Sequence, residues 1–194
     1  MPATPFDPAS LQAVVFDMDD TLYPERDFVL SGFKAVTVWA EGVLGIDQSA
    51  GYARLAQLFN DGVRGDTFNQ WLAAWAVPEP EQVLPQMVAV YREHEPTIRP
   101  FPEIPALLAQ LQSIYRLGLL SDGYLAVQQR KLAALKLASC FDAIVFSDEW
   151  GPENWKPAKR PFAAVLDGLA VEAAAAVYIA DNPTKTFWER GRWV

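Results

Sequence analysis

A chain of 194 residues suits one domain, or one domain carrying an insertion. Hydrophobic residues at 51% and charged residues at 21% read as globular, which excludes a disordered or fibrous chain. The formal net charge of -8 repels nucleic acid and anionic membrane surfaces, and would repel an anionic small substrate too, so a phosphate site here needs a local cation.

Met1–Ser10 carries three prolines and no basic stretch, so it does not read as a secretion signal. Ala13-Val14-Val15-Phe16 is a short apolar run suited to a strand covered on both faces, and it ends in acids: Asp17-Met18-Asp19-Asp20. Such acids are costly at close range unless a cation neutralises them or one is protonated. A hard divalent cation such as magnesium, which prefers oxygen ligands, would solve this, but the acids by themselves read first as a solvated acidic turn.

A long stretch with helix signals follows, taken as 26–98. Phe28, Phe33, Val36 and Ala40 share a stripe, Phe68, Trp71, Leu72 and Trp75 recur at three and four behind a cap at Asp66 or Thr67, and Val83, Met87, Val90 and Tyr91 form another. Glu95–Pro102 is proline-rich and reads as a linker. A helical block inserted after an acidic strand end and closed by such a return reads as a cap or lid.

Three further apolar runs predict strands at Leu117–Leu120, Ala143–Phe146 and Ala176–Ile179. They end in Ser121-Asp122, Ser147-Asp148 and Asp181-Asn182. Helical patterns over Leu125–Leu137 and Phe162–Leu169 separate them, the second opening after Pro161. Strands alternating with helices predict a parallel sheet, with ligands outside the strands' C-terminal ends. His94 reads as a surface residue, Cys140 as a small hydrophobe that rules out an internal disulfide and fits a reducing compartment, and Asp148 as a support for a metal ligand or a plain strand-end turn. No apolar run is long enough to span a membrane, so a cytoplasmic protein is expected.

Phe16-Asp17-Met18-Asp19-Asp20-Thr21 resembles the first motif of the haloacid dehalogenase superfamily. Leu119–Gly123, Trp155-Lys156-Pro157 and Tyr178–Pro183 are similar to its second, third and fourth motifs, in the proper order. The resemblance implies a Rossmann-like α/β core over 1–25 and 99–194, with 26–98 as an α-helical cap. It also implies a Mg²⁺-dependent phosphatase acting on a small phosphorylated metabolite, a sugar phosphate or nucleotide, with no nucleic acid or membrane partner. By the same resemblance Asp17 would be nucleophile and metal ligand, Asp19 general acid and base with its backbone carbonyl on the metal, and Asp181 the remaining metal ligand. Ser121, Asp122 and Gly123 would form the phosphate-binding turn, with Ser121 also a helix-cap candidate and the Asp122 carboxylate more a turn residue than a catalytic one. Lys156, in competition with Lys159 and Arg160, would be the charge-neutralising cation.

The fit is incomplete at the fourth motif, which usually has a second acid where this chain has Asn182, or Lys185 and Thr186 further on. The core is expected to be shortened at its C-terminus, ending in the basic and aromatic octet 187–194. That would leave the last strand an exposed edge open to association. Asp19 favours phosphoryl transfer over dehalogenation. A phosphomutase, and a catalytically weakened relative that binds a phosphorylated ligand or a partner chain, are the alternatives.

Overall fold

The computed structural model describes residues 10–182. The chain forms two compact units, one joining the stretch up to Glu25 with that from Ile98 onward, the other Arg26–Thr97. In the first, β1 (Ala13–Phe16), β2 (Arg116–Ser121), β3 (Ala143–Phe146) and β4 (Ala176–Ile179) form one parallel sheet in the order β3-β2-β1-β4. Phe16 stands level with Leu119 on one side and Ile179 on the other, and Ser121 with Phe146. The register therefore brings all four strand ends to one edge.

The strands are near-continuous apolar runs because both sheet faces are covered. Val15, Leu120, Val145 and Tyr178 pack with Phe162, Val165 and Leu169 of α7 (Lys159–Leu169), while Val14, Phe16, Leu117 and Leu119, alternate along the same strands, are buried as well. A Cβ on Gly118 would stand 2.9 Å from Val165 and 3.0 Å from Leu169, so only glycine lets α7 lie this close to β2. α5 (Ile104–Gln112) packs against β2, and α6 (Leu125–Leu135) follows the second strand end.

Three of the four strands keep the expected bounds, and β2 gains one residue at each end. α6 stops two residues early because Lys136 turns left-handed at φ 57°. α7 starts at Lys159, placing Pro161 in its first turn, where no intrahelical N–H is lost. α5 has no counterpart among the expected elements; it begins just beyond the proline-rich stretch. β4 pairs only with β1 among the described residues, and the 187–194 octet lies outside them.

The second unit holds α1 (Glu25–Leu44), α2 (Gln48–Asn60), α3 (Thr67–Ala74) and α4 (Pro80–Glu93). The apolar stripes do not mark α2 as a separate helix. Phe33, Val36, Leu55, Trp71, Leu72 and Met87 form the core of this unit, and the Trp71 indole donates to the Gly51 carbonyl at 2.9 Å. Asp66 precedes α3, but its carboxylate takes the Asn69 and Gln70 amides in place of a backbone N–H. Trp75 falls just past that helix and is exposed. His94 is half-buried against Phe28, with Nδ1 at 2.7 Å from the Tyr91 carbonyl, which corrects its reading as a surface residue. No helix among the described residues is long and apolar enough to cross a membrane.

Candidate active site

Asp17, Asp19, Asp20, Glu25, Asp122, Lys156 and Asp181 line one pocket at the C-terminal edge of the sheet. Asp17 directly follows β1, and its N–H still donates to Ile179 at 2.9 Å, so the sheet ladder holds it in place. Lys156 comes from the loop before α7. Its ammonium lies 2.7 Å from Asp17 Oδ1, 2.8 Å from the Tyr178 hydroxyl and 3.2 Å from the Leu120 carbonyl, three donors with three acceptors. Both partners of the ion pair are buried, Asp17 at 4% exposure and Lys156 at 7%.

Burial pushes the Asp17 carboxyl above its ordinary value, against the pull of Lys156 and of the Met18 N–H at 2.8 Å. Burial and the neighbouring Asp17 likewise raise the Tyr178 phenol, so its hydroxyl keeps a proton to share with Asp17 while accepting from Lys156. Lys159 and Arg160 do not compete: they open α7, and Arg160 lies 4.9 Å from the Trp150 ring centre.

Asp19 is in a different setting. Lys131 Nζ is 2.8 Å from its Oδ1, Gln128 Nε2 is 2.9 Å from its Oδ2, and the Tyr23 hydroxyl donates to Oδ1 at 2.5 Å. Burial works to raise this carboxyl, but Lys131 and the three hydrogen bonds outweigh it and hold the group below its ordinary value. Lys131, Gln128, Tyr23 and Tyr178 are partners of the site residues that the motifs do not reveal. A signal existed for Gln128, which sits at helical spacing between Leu125, Leu132 and Leu135 on what is otherwise an apolar stripe. A polar residue on a buried stripe needs a partner.

Asp122 accepts from Ser147 Oγ at 2.6 Å and from the Lys156 N–H at 3.0 Å, so its carboxylate ties the β2 and β3 ends to the loop that carries the lysine. Ser121 is wholly buried and its Oγ has no partner among the described residues; α6 takes no side-chain cap, so the cap role is not the one it plays. Gly123 turns at φ 116°, and a Cβ there would stand 2.9 Å from Gln128 Nε2. Asp148 does not line the pocket. Its oxygens accept from Leu125 N at 2.9 Å and Trp155 Nε1 at 3.0 Å, which makes it a brace for α6 in place of the expected metal support. Asp181 is exposed on the pocket wall, its N–H donating to Thr21 Oγ1 at 3.2 Å.

The donors are hard oxygens, and six acids line the pocket with Lys156, while Lys131 answers Asp19 alone, an imbalance that a divalent cation relieves. Among the described residues no three acidic, histidine or cysteine side chains converge as a ready-made cage.

The family profile described as haloacid dehalogenase-like hydrolase matches residues 14–186. A glyceraldehyde 3-phosphate phosphatase of Methanopyrus kandleri is 30% identical over 182 residues, 90% of this chain and 77% of that protein. A protein of the same name from Methanothermobacter thermautotrophicus is 29% identical, over 89% of this chain and 77% of its own length. The crystal structure of a HAD-superfamily hydrolase from Geobacter sulfurreducens superposes with a TM-score of 0.67 at 16% identity, covering 91% of this chain and 80% of the other, and shares the fold.

Proposed function

This chain belongs to the family of haloacid dehalogenase-like hydrolases, and from that premise we propose that it is a Mg²⁺-dependent phosphomonoesterase working through an aspartyl phosphate on Asp17. The observation that carries the reading is the buried Asp17–Lys156 pair, at 2.7 Å, in a pocket that Asp19, Asp122 and Asp181 also line. An Asp17 oxygen attacks phosphorus, the P–O bond to the leaving group breaks, and Asp19, a carboxylate at rest, relays to that oxygen a proton that the substrate brings as its phosphate monoanion. Water then attacks the aspartyl phosphate, Asp19 takes its proton, and inorganic phosphate leaves with Asp17 restored.

Lys156 neutralises charge on the transferring group, and Ser121 Oγ with the Gly123 N–H holds its oxygens. The unpartnered Ser121 hydroxyl supports that assignment, since a buried polar atom without a partner is costly unless a ligand supplies one. Asp122 supports the reaction by fixing the Lys156 loop. Mg²⁺, held by Asp17, Asp181 and the Asp19 carbonyl, would screen carboxylate from phosphate and polarise the phosphoryl group. The substrate class is a small phosphorylated metabolite such as a sugar phosphate or nucleotide, and the relatives named glyceraldehyde 3-phosphate phosphatase favour the small end, a triose phosphate. The helical unit, inserted in the chain directly after the first acidic cluster, is assigned the role of a substrate-selecting cap.

Hydrolysis of p-nitrophenyl phosphate with Mg²⁺ or with EDTA, beside Asp17→Asn, tests this. Turnover should require the metal and fall by about three orders of magnitude or more in the variant, the scale seen when a nucleophile is removed. Equal rates for variant and parent would end the nucleophile reading. A folded parent without turnover would favour a protein that binds a phosphorylated ligand.

A further inference from the structure

We propose that Gln128 and Lys131 are positioning residues that aim the Asp19 carboxylate at the leaving-group oxygen; this rests on the phosphatase reading above. Asp19 follows a strand end by three residues, its neighbour Asp20 turns left-handed at φ 52°, and the local Tyr23 hydroxyl holds its side chain by Oδ1. A proton donor must be held within hydrogen-bond reach of the leaving oxygen. α6 adds the hold on Oδ2 and a countercharge.

Lys131 and Gln128 lie three apart on one face of that helix, buried at 4% and 2% exposure, and each takes a different oxygen of Asp19. Two oxygens held by two side chains fix both the position and the plane of a carboxylate. The helix is a firm base, anchored by buried Leu132 and Leu135 and at its start by the Asp148–Leu125 bond. The Gln128 amide also donates to the Asp122 carbonyl, so it joins the first and second strand-end turns.

Residue identity at these places is constrained. Both groups facing the Gln128 amide are acceptors, so only an NH₂ suits the spot, and a glutamate would be repelled. A side chain at position 123 would push the amide off Asp19, which gives Gly123 a second use besides its positive φ. Lys131 has a partner in Asp19, and a lysine buried to this degree with a carboxylate at 2.8 Å is more than a solvated surface charge. In the first step a proton brought by the substrate monoanion passes by way of Asp19 to the leaving oxygen as the P–O bond breaks. The anion that remains is held by these two donors and the Tyr23 hydroxyl, in place to accept the proton of the attacking water.

The test compares leaving groups, because loss of a correctly aimed acid harms a poor leaving group far more than a good one. We would measure kcat/KM for phenyl phosphate and for 2,4-dinitrophenyl phosphate with Mg²⁺ in the parent, Asp19→Asn, Lys131→Met, Lys131→Arg and Gln128→Leu. Asp19→Asn sets the full size of the effect. In Lys131→Met and Gln128→Leu the phenyl-to-dinitrophenyl ratio should fall at least about tenfold, within what general acid catalysis contributes. Lys131→Arg should recover most of it. An equal loss on both substrates, or an unchanged ratio, overturns the proposal and leaves the phosphatase reading standing. Parental activity in Asp17→Asn sinks that reading itself. Should Lys131→Met fail to fold, Gln128→Leu, which removes no charge, decides the matter by the same ratio.

Discussion

The two units handle buried polarity in opposite ways. Of the buried polar side chains among the described residues, Asp17, Ser121, Gln128, Lys131, Ser147 and Lys156 belong to the α/β unit, and only Thr37 to the helical one. Thr37 answers its own need locally, by a bond to the Lys34 carbonyl one helical turn back. The helical core is otherwise hydrocarbon and ring edges, such as Phe33 against Phe59 and Phe68. In the α/β unit the buried polar groups come from separate segments and pair across the strand ends, with the Ser121 hydroxyl left over. Burying charge is costly unless it is paired. A unit that does so repeatedly at one sheet edge is retaining polarity for chemistry, whereas the helical unit is built for packing.

Lys156→Met would break that contrast hardest. It leaves Asp17 buried without its cation and should lower the unfolding free energy by about 3–5 kcal/mol at pH 8 in urea melts, besides abolishing phosphatase turnover. The sign with pH is fixed. Asp17 already has a raised carboxyl value, and losing Lys156 raises it further, so the variant is relatively most stable at low pH and loses stability as pH rises through the unfolded carboxyl value toward the raised one. A flat pH dependence would mean that Asp17 is not desolvated. Trp71→Ala probes the other unit. It removes a wholly buried ring and its bond to Gly51, and should cost about 3–5 kcal/mol in the same melts. A loss under about 1 kcal/mol would show that packing does not carry the helical unit. Tyr178→Phe is the finest probe. It keeps the ring against Phe162 and removes only the hydroxyl bonded to Lys156, a loss of about 1.5–3 kcal/mol for a bond to a charged group. No change would mean that Lys156 is held by Asp17 and the Leu120 carbonyl alone.

Much of this architecture could be read without coordinates, because its signals are local. Ala13–Phe16, Ala143–Phe146 and Ala176–Ile179 are short, apolar and abruptly ended, and a parallel sheet buried on both faces demands such runs. Once those strands are parallel and in register, Asp17, Ser121, Asp122 and Asp181 reach one edge by chain direction alone. Lys156 could be singled out by its resemblance to a motif, though not by any contact.

What tertiary structure decided is which side chains face each other. That the phenol of Tyr178 lies beside both Asp17 and Lys156 depends on the pairing of β4 with β1, a neighbour relation between residues about 160 positions apart. Lys131 and Gln128 read as ordinary polar residues of an amphipathic helix until α6 is laid against the first strand end, over 100 positions away in the chain. Asp148 is the converse case: strand-end position makes it a metal candidate, and only the packing of α6 and Trp155 shows both its oxygens already engaged. Periodicity and turn chemistry act over a few residues, so the sequence alone determines the elements and the edge they share. Carboxylate partners are set by packing across the chain, and so the difference between Asp17 and Asp19 belongs to the folded protein.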